Sequence, residues 1–408
     1  MQKLPIGIQT FSDLRNDGYL YVDKTEDIHR MITSGKPFFL SRPRRFGKSL
    51  LVSTLEEIFK GNKALFEGLF IYDHWDWTRQ HPVIRLDFGA IANYSSEALS
   101  QSLADFVSSI ASEQKIILEK TETPDRFSEL IKKMHLSAGS QVAVLIDEYD
   151  NPIIDNMSNA EVLNENKRIL HDFYKVLKVA DQHLCFIFLT GVSKFAGMSL
   201  FSGLNNLNDI TNDDRYASIC GYTQTEFEHY FSEHLDEFAR KKSLNKLELL
   251  DEIRYWYNGF SWDGSTLLYN PFSTLSFFDK MRFDNYWFRS GTPTFLIETL
   301  KKQNRLESVI EPITVSSKAF DSFDPEKISE TSLLFQTGYL TIKHIDDKSI
   351  PTQYTLHFPN NEVKESLFEY LLNAYSGYPL EKEQELKQRM RQQLLNNVAS
   401  KRDEWQPY

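Results

Sequence analysis

"PFFLSRPRRFGKSLLVSTLEEIF", residues 37–59, decides how the first half of the chain folds. Its opening, "PFFL", reads as a short buried strand, and from Lys48 an amphipathic stretch reads as a helix. Between them lies a basic loop that ends in Gly47, Lys48 and Ser49. That ending suits a nucleotide triphosphate. The glycine lets the backbone come close to phosphate, the ammonium meets the β/γ oxygens, and the hydroxyl serves Mg²⁺ at a helix N-terminus. The usual pattern, G-x-x-x-x-G-K-[ST], opens on a glycine, whereas here Arg42 holds that place and Pro43 follows. The first glycine serves mainly the turn and Lys48 serves the ligand, so this departure costs less than a lost lysine would.

A second stretch gives the loop its partner. "VAVLIDEYD" (142–150) is an apolar run ending in Asp147 and Glu148, about a hundred residues after the loop. At such a strand end the aspartate orients Mg²⁺ through its water shell and the glutamate activates the attacking water. A third run, "LCFIFLTGVSKF" (184–195), is a strand entering a polar tip. There Thr190 or Ser193 is a candidate sensor of the γ-phosphate or the attacking water, and Lys194 a further positive charge.

Composition sets the outer limits. The 408 residues exceed one ordinary domain, and 41% hydrophobic with 25% charged residues describe a globular chain with a real core. Thirty Phe and nineteen Tyr argue against extensive disorder. A net charge of −11 disfavours a broad nonspecific nucleic-acid surface, because polyphosphate is repelled. Two cysteines, Cys185 and Cys220, make no disulfide framework and fit a reducing compartment. The absence of a signal-like or membrane-length apolar run points to a cytoplasmic protein.

Strand-like runs at 37–40, 83–88, 142–148 and 184–191 alternate with helical stretches near 48–60, 95–118, 125–137 and 160–180. This is the pattern of an α/β fold with a parallel sheet and helices on both faces. A further strand is expected in "YASICGY" (216–222), and "FSGLNNLNDITNDDR" (201–215) reads as a polar loop. From 223 the pattern turns helical, opening on Thr223 with Glu226 three residues later, a capping box. Two strands, 338–345 and 353–358, close a helical and winged-helix-like region. The expected division is 1–222, 223–378 and a charged, Gln-rich terminal helix within 379–408. The aromatic "YWYNGFSWDG" (255–264) suits a small-domain core better than base stacking. Asp23 reads as a cap for the helix that starts at "KTEDIHRMI", and "YVDKT" alternatively packs over base or ribose.

These stretches together resemble the predicted AAA-ATPase-like family. The likeness rests on "YLYVDKT" (19–25), "FFLSRPRRFGKSLLVSTLEEIF" (38–59), "VLIDEYDNPI" (144–153) and "FLTGVSKF" (188–195), and extends through "SLFSGLNNLNDIT", "WYNGF" and "YNPFSTL" to "LHFPNNEV" at 356–363. It implies a P-loop NTPase fold and makes RPRRFGKS a form of the loop rather than damage to it. It further implies ATP and Mg²⁺ held by Arg44, Arg45, Phe46, Gly47, Lys48, Ser49 and Leu50, with Ser49 and Asp147 at the metal. Glu148 is then the general base, with Thr190 or Ser193 as sensor. Arg44 and Arg45 either clamp phosphate, meet a neighbouring subunit, or anchor the loop to a carboxylate such as Asp23. Members of the family commonly continue into a nuclease-like domain of the PD-(D/E)xK type, expected here to be missing. Its Glu-x-Lys element is matched literally by "EVK" (362–364) and "ELK" (385–387), but neither follows an acidic strand. The expected function is a slow Mg²⁺-dependent ATPase regulating a partner or nuclease domain. Alternatives are a non-hydrolysing switch or a phosphotransferase. Nucleic acid through the nuclease-like domain, a second copy of the chain or another protein are the expected partners.

Overall fold

The computed structural model describes residues 1–194, 204, 206–287, 311–317 and 329–376. Two short helices, α1 (Phe11–Asn16) and α2 (Thr25–Ser34), precede the first strand, β1 (Pro37–Ser41). Asp23 lies one residue before Lys24, the N-cap of α2, so it is not the cap itself; it accepts from the Thr25 amide at 2.8 Å, and its second oxygen accepts from the Phe70 amide at 2.8 Å. Helix α3 (Lys48–Phe59), strand β2 (Val83–Asp87) and helices α4 (Ser96–Glu113) and α5 (Thr123–Ala138) follow. Then come β3 (Val142–Asp147), α6 (Asn151–Ile154), α7 (Ala160–Val179), β4 (Leu184–Gly191) and β5 (Asn208–Asp209). The sheet is parallel in the order β2-β3-β4-β1-β5.

Every residue of β3 is buried, as a strand covered on both faces requires. Its side chains alternate between two cores. Val142, Val144 and Ile146 pack with α4, α5 and α7, whereas Ala143 and Leu145 join Phe38, Leu40 and α3. Each fully buried aliphatic or aromatic side chain contributes on the order of 1.5–3 kcal/mol, so this two-sided layer is the main source of stability.

The expectation of a strand at 216–222 is corrected. That segment begins in a 3-10 turn at Asp214–Tyr216, and Tyr222 makes a single bridge to Tyr269. The fifth strand comes instead from Asn208–Asp209, inside the segment read as a loop. Two residues are too short to show a period, and their pairing with Phe38 and Phe39 is set by the neighbouring strand.

Beyond residue 222 the capping box forms as expected: the Thr223 hydroxyl accepts from the Glu226 amide and the Glu226 carboxylate from the Thr223 amide. It opens α8 (Gln224–Tyr230), followed by α9 (Ser232–Lys242), α10 (Lys246–Tyr257) and α11 (Pro271–Lys280). Next come β6 (Ile313–Ser316), α12 (Glu330–Gln336), β7 (Thr341–Asp346), β8 (Gln353–His357) and α13 (Asn361–Ser376). The two expected strands pair antiparallel, and β6 adds a third in the order β6-β8-β7. The aromatic segment is core from Tyr257 on, with Tyr257, Phe260 and Trp262 buried, whereas Tyr255 is exposed. The terminal helix and the "ELK" at 385–387 lie outside the described residues. Among the described residues, no helix is long and apolar enough to cross a membrane.

Candidate nucleotide site

With β4 inserted between β1 and β3, the carboxyl ends of all three strands meet at one edge. Ser41 pairs with Gly191, Ile146 with Leu189, and Asp87 with Asp147. Ligands of open parallel sheets bind at this edge, outside the strand ends.

Gly47 sits at φ 91°, a left-handed conformation that favours glycine, and helix α3 begins directly after it. Among the described residues no side chain caps that helix start, which leaves its first amides to an incoming anion. Lys48 is buried, and its Nζ donates to the Arg42 carbonyl at 2.9 Å and the Pro43 carbonyl at 3.0 Å. Burial pushes its pKa down, opposed by Asp147, Asp150 and Glu148.

Asp147 is fully buried at the end of β3. One carboxyl oxygen accepts from the Glu148 amide at 3.0 Å, while Oδ2 has no hydrogen-bond partner among the described residues. Desolvation raises its pKa, and the Ser49 hydroxyl and Lys48 ammonium pull it back down. An unmatched, buried carboxylate oxygen beside a serine at a helix start fits Mg²⁺. That ion typically takes one or two protein oxygens and completes its shell with phosphate and water. Among the described residues no group of three or more His, Cys, Asp or Glu side chains is placed to hold a metal, so phosphate oxygens would have to share the ion.

Glu148 adopts φ 51°, uncommon for a residue with a side chain. Its Oε2 accepts from Asn151 Nδ2 at 2.8 Å. Gly89 makes room for it, since a Cβ there would lie 2.6 Å from that oxygen. The two candidate sensors differ. The Thr190 hydroxyl donates to the Leu40 carbonyl at 2.8 Å, so its proton is already committed to the neighbouring strand. The Ser193 amide donates to Asp150 Oδ2 at 2.6 Å and the Val192 amide to the same oxygen at 3.0 Å. Lys194 forms an ion pair with Asp209 at 2.8 Å.

Asp150 is a further candidate that sequence reasoning passed over, although it closes the quoted "VAVLIDEYD". It is fully buried, with its pKa pushed up to about 6 by desolvation against the pull of the Ser193 amide and Lys48. It ties the polar tip of β4 to the acid strand. Gly191 permits the approach, because a Cβ there would come within 2.7 Å of the Tyr149 ring and closer still to Asp150.

The arginines divide. Arg42 is fully buried, donating from Nη1 to the Ser41 and Thr211 carbonyls at 2.9 and 2.7 Å, with its guanidinium 4.1 Å from the Trp262 ring centre. Burial lowers its pKa to about 10. Arg44 presents its carbonyl to the Trp287 indole N–H at 3.2 Å, and the Arg45 guanidinium lies 5.0 Å from the Phe272 ring centre. Phe46 is buried against Phe260 and Trp262, with ring centres 4.8 and 5.1 Å away. Asp23 bonds Thr25 and the Phe70 amide. A largely apolar pocket is lined by Phe46 and Gly47 together with Leu20, Tyr21, Leu50 and Tyr222.

Comparison with known proteins agrees with this geometry. The model of a family described as "Predicted AAA-ATPase" matches residues 5–201. A protein of Azotobacter chroococcum mcd 1, described as "Uncharacterized protein in vnfD 5'region", is 44% identical over 379 residues, covering 93% of this chain and 71% of that one. The matched family segment takes in the loop, the acid strand and β4, and the likeness to the relative runs through most of both chains. This chain therefore belongs to the predicted AAA-ATPase family and carries its nucleotide-binding, ATPase-like module.

Proposed function

We propose that the chain binds ATP with Mg²⁺ and hydrolyses it slowly, using the turnover to regulate a partner or an attached domain. The observation that carries this reading is the orphaned Oδ2 of Asp147, buried beside the uncapped start of α3 at the carboxyl edge of the sheet. Lys48 would leave the Arg42 and Pro43 carbonyls for the β/γ oxygens, Ser49 would hold the metal, and Asp147 its water. A metal held there would supply charge screening for the phosphates. Glu148 would take the proton of the attacking water, and most of the rate gain would come from positioning and charge. Of the two sensors Ser193 is preferred, because the Thr190 donor is spent on Leu40. The pocket beside Gly47 would take the base, which gives "YVDKT" a ligand role alongside the Asp23 bonds to Thr25 and Phe70. The boundary near residue 222 is part of the same proposal.

A non-hydrolysing switch is the second reading, favoured by the Asn151 contact that already occupies Glu148. Phosphate release from ATP without an added acceptor, followed against protein concentration, separates the readings. Steady release supports the ATPase, and a rise in specific rate with concentration adds a second copy to the site. Tight binding without release leaves the switch, and release that needs an acceptor hydroxyl supports phosphotransfer.

A further inference from the structure

The phosphate loop turns through a strained residue that the second half of the chain holds in place. Arg45 adopts φ 68°, a left-handed conformation that costs a side-chain-bearing residue free energy unless its surroundings enforce it. Both sides of this turn are gripped from beyond residue 222. The Arg44 carbonyl, on the peptide entering Arg45, accepts from the Trp287 indole N–H, and the Arg45 guanidinium rests on Phe272. Trp287 is fixed in turn. Its own amide and that of Tyr286 both donate to Glu362 Oε1, at 2.9 and 2.7 Å. Glu362 is fully buried in the first turn of α13, so the "EVK" match is a structural clamp here. Val363 and Leu367 of the same helix share a hydrophobic cluster with Phe46 of the loop. Gly338 completes the seat: a Cβ there would lie 2.7 Å from Pro43 and 3.4 Å from the Trp287 ring.

We propose that Trp287 is a positioning residue of the phosphate loop, and that the Glu362–Trp287–Arg44 chain couples nucleotide occupancy to helix α13. This rests on the nucleotide-binding reading above. A nucleotide that draws the loop amides inward must move or tighten the Arg44–Arg45 peptide. The indole bonded to that peptide passes the change to the two amides on Glu362. Coupling of this kind is reciprocal: whatever secures α13 also favours the loop geometry that binds phosphate.

The test is hydrogen exchange on the full chain, with and without Mg-ATP, read over 42–52 and 361–369. In the wild type, ATP slows exchange in both segments. Trp287→Phe keeps a ring in the cluster and removes the indole donor. Its ATP affinity falls about 3- to 10-fold, the range of one lost hydrogen bond, and its melting temperature changes little. At saturating ATP its loop is protected while α13 no longer responds. Glu362→Gln, which keeps the acceptor oxygen, retains the wild-type response. The coupling is overturned if wild-type α13 ignores ATP while the loop is protected, an outcome that leaves nucleotide binding standing. It is equally overturned if Trp287→Phe binds ATP as well as wild type with α13 still responding. Should Trp287→Phe not fold, the wild-type comparison decides alone. Protection of neither segment removes the nucleotide reading and the coupling together.

Discussion

Within the eight residues Arg42–Ser49, the two ends of one loop have different duties. Gly47, Lys48 and Ser49 sit at the carboxyl edge of the sheet with an uncapped helix start and an unmatched acid beside them. Arg42, the Arg44 carbonyl, Arg45 and Phe46 also make contacts with the second half of the chain, on Trp262, Trp287, Phe272 and Phe260. In the usual loop a glycine opens the turn and owes nothing to distant residues. Here the turn is imposed from outside, by a guanidinium on an indole and a ring in a hydrophobic cluster. A loop with weak local preference can therefore be as well defined as a glycine-rich one, provided the protein around it supplies the constraint.

The largest effect belongs to the ligand end. Lys48→Ala removes a buried cation from the proposed phosphate position, and truncating one member of such a charged pair typically costs about 2–5 kcal/mol. ATP affinity by calorimetry should fall about 10³-fold while the chain stays folded. Unchanged affinity would place the nucleotide elsewhere and dissolve the division between the loop's ends. Close behind is Glu148→Gln, for which ATP should still bind and turnover should drop about 10²–10⁴-fold, the usual reach of a positioned base. A Gln variant releasing phosphate at the wild-type rate would remove Glu148 from the chemistry.

The structural end should fail differently. Trp262→Ala deletes the ring that carries Arg42 and Phe46, and a buried aromatic cut to alanine costs about 3–5 kcal/mol. The expected signature is a lower urea midpoint, with the residual folded protein still binding ATP more tightly than Lys48→Ala does. If Trp262→Ala instead kept its stability and lost ATP as completely as Lys48→Ala, the two ends would share one role.

The sequence carried one end of this comparison far better than the other. Gly47-Lys48-Ser49 and "VAVLIDE" can be read because their chemistry is local: a strand period, a helix start, two acids at a strand end. The alternating cores of β1, β3 and β4 follow from the same runs, and the Thr223 capping box from two residues three apart. The partners of Arg42 could not be read, since Trp262 lies 220 positions away and nothing in either residue's neighbourhood specifies the pairing. The strand Asn208–Asp209 was invisible for a related reason, because two polar residues become a strand only when β1 offers its edge. Asp150 was in plain view, and the available signal was a third acid three positions after Asp147 with no apolar face to justify it. Thr190 looked like a sensor from position alone, and only the Leu40 carbonyl shows where its proton goes.

The smallest effect probes the far end of the clamp through pH. Burial raises Glu362 from its ordinary 4.5 to about 7, against the pull of the Trp287 and Tyr286 amides and the Ser273 hydroxyl, with the nearby Asp284 adding to the rise. Tyr257 and Tyr286, also close to it, are raised above the ordinary tyrosine range and remain neutral in this window. The folded chain therefore binds this proton more tightly than the unfolded chain does between pH 4.5 and 7. Stability from this group is present below that window and is lost as pH rises through it, by about 3 kcal/mol in full. Glu362→Gln removes the titration and keeps an oxygen for both amides. Its melting temperature relative to wild type should rise from pH 4.5 to pH 8, crossing in its favour near neutrality. Parallel curves would mean that Glu362 titrates alike in the folded and unfolded chain, and that the clamp on Trp287 is an ionised carboxylate at neutral pH.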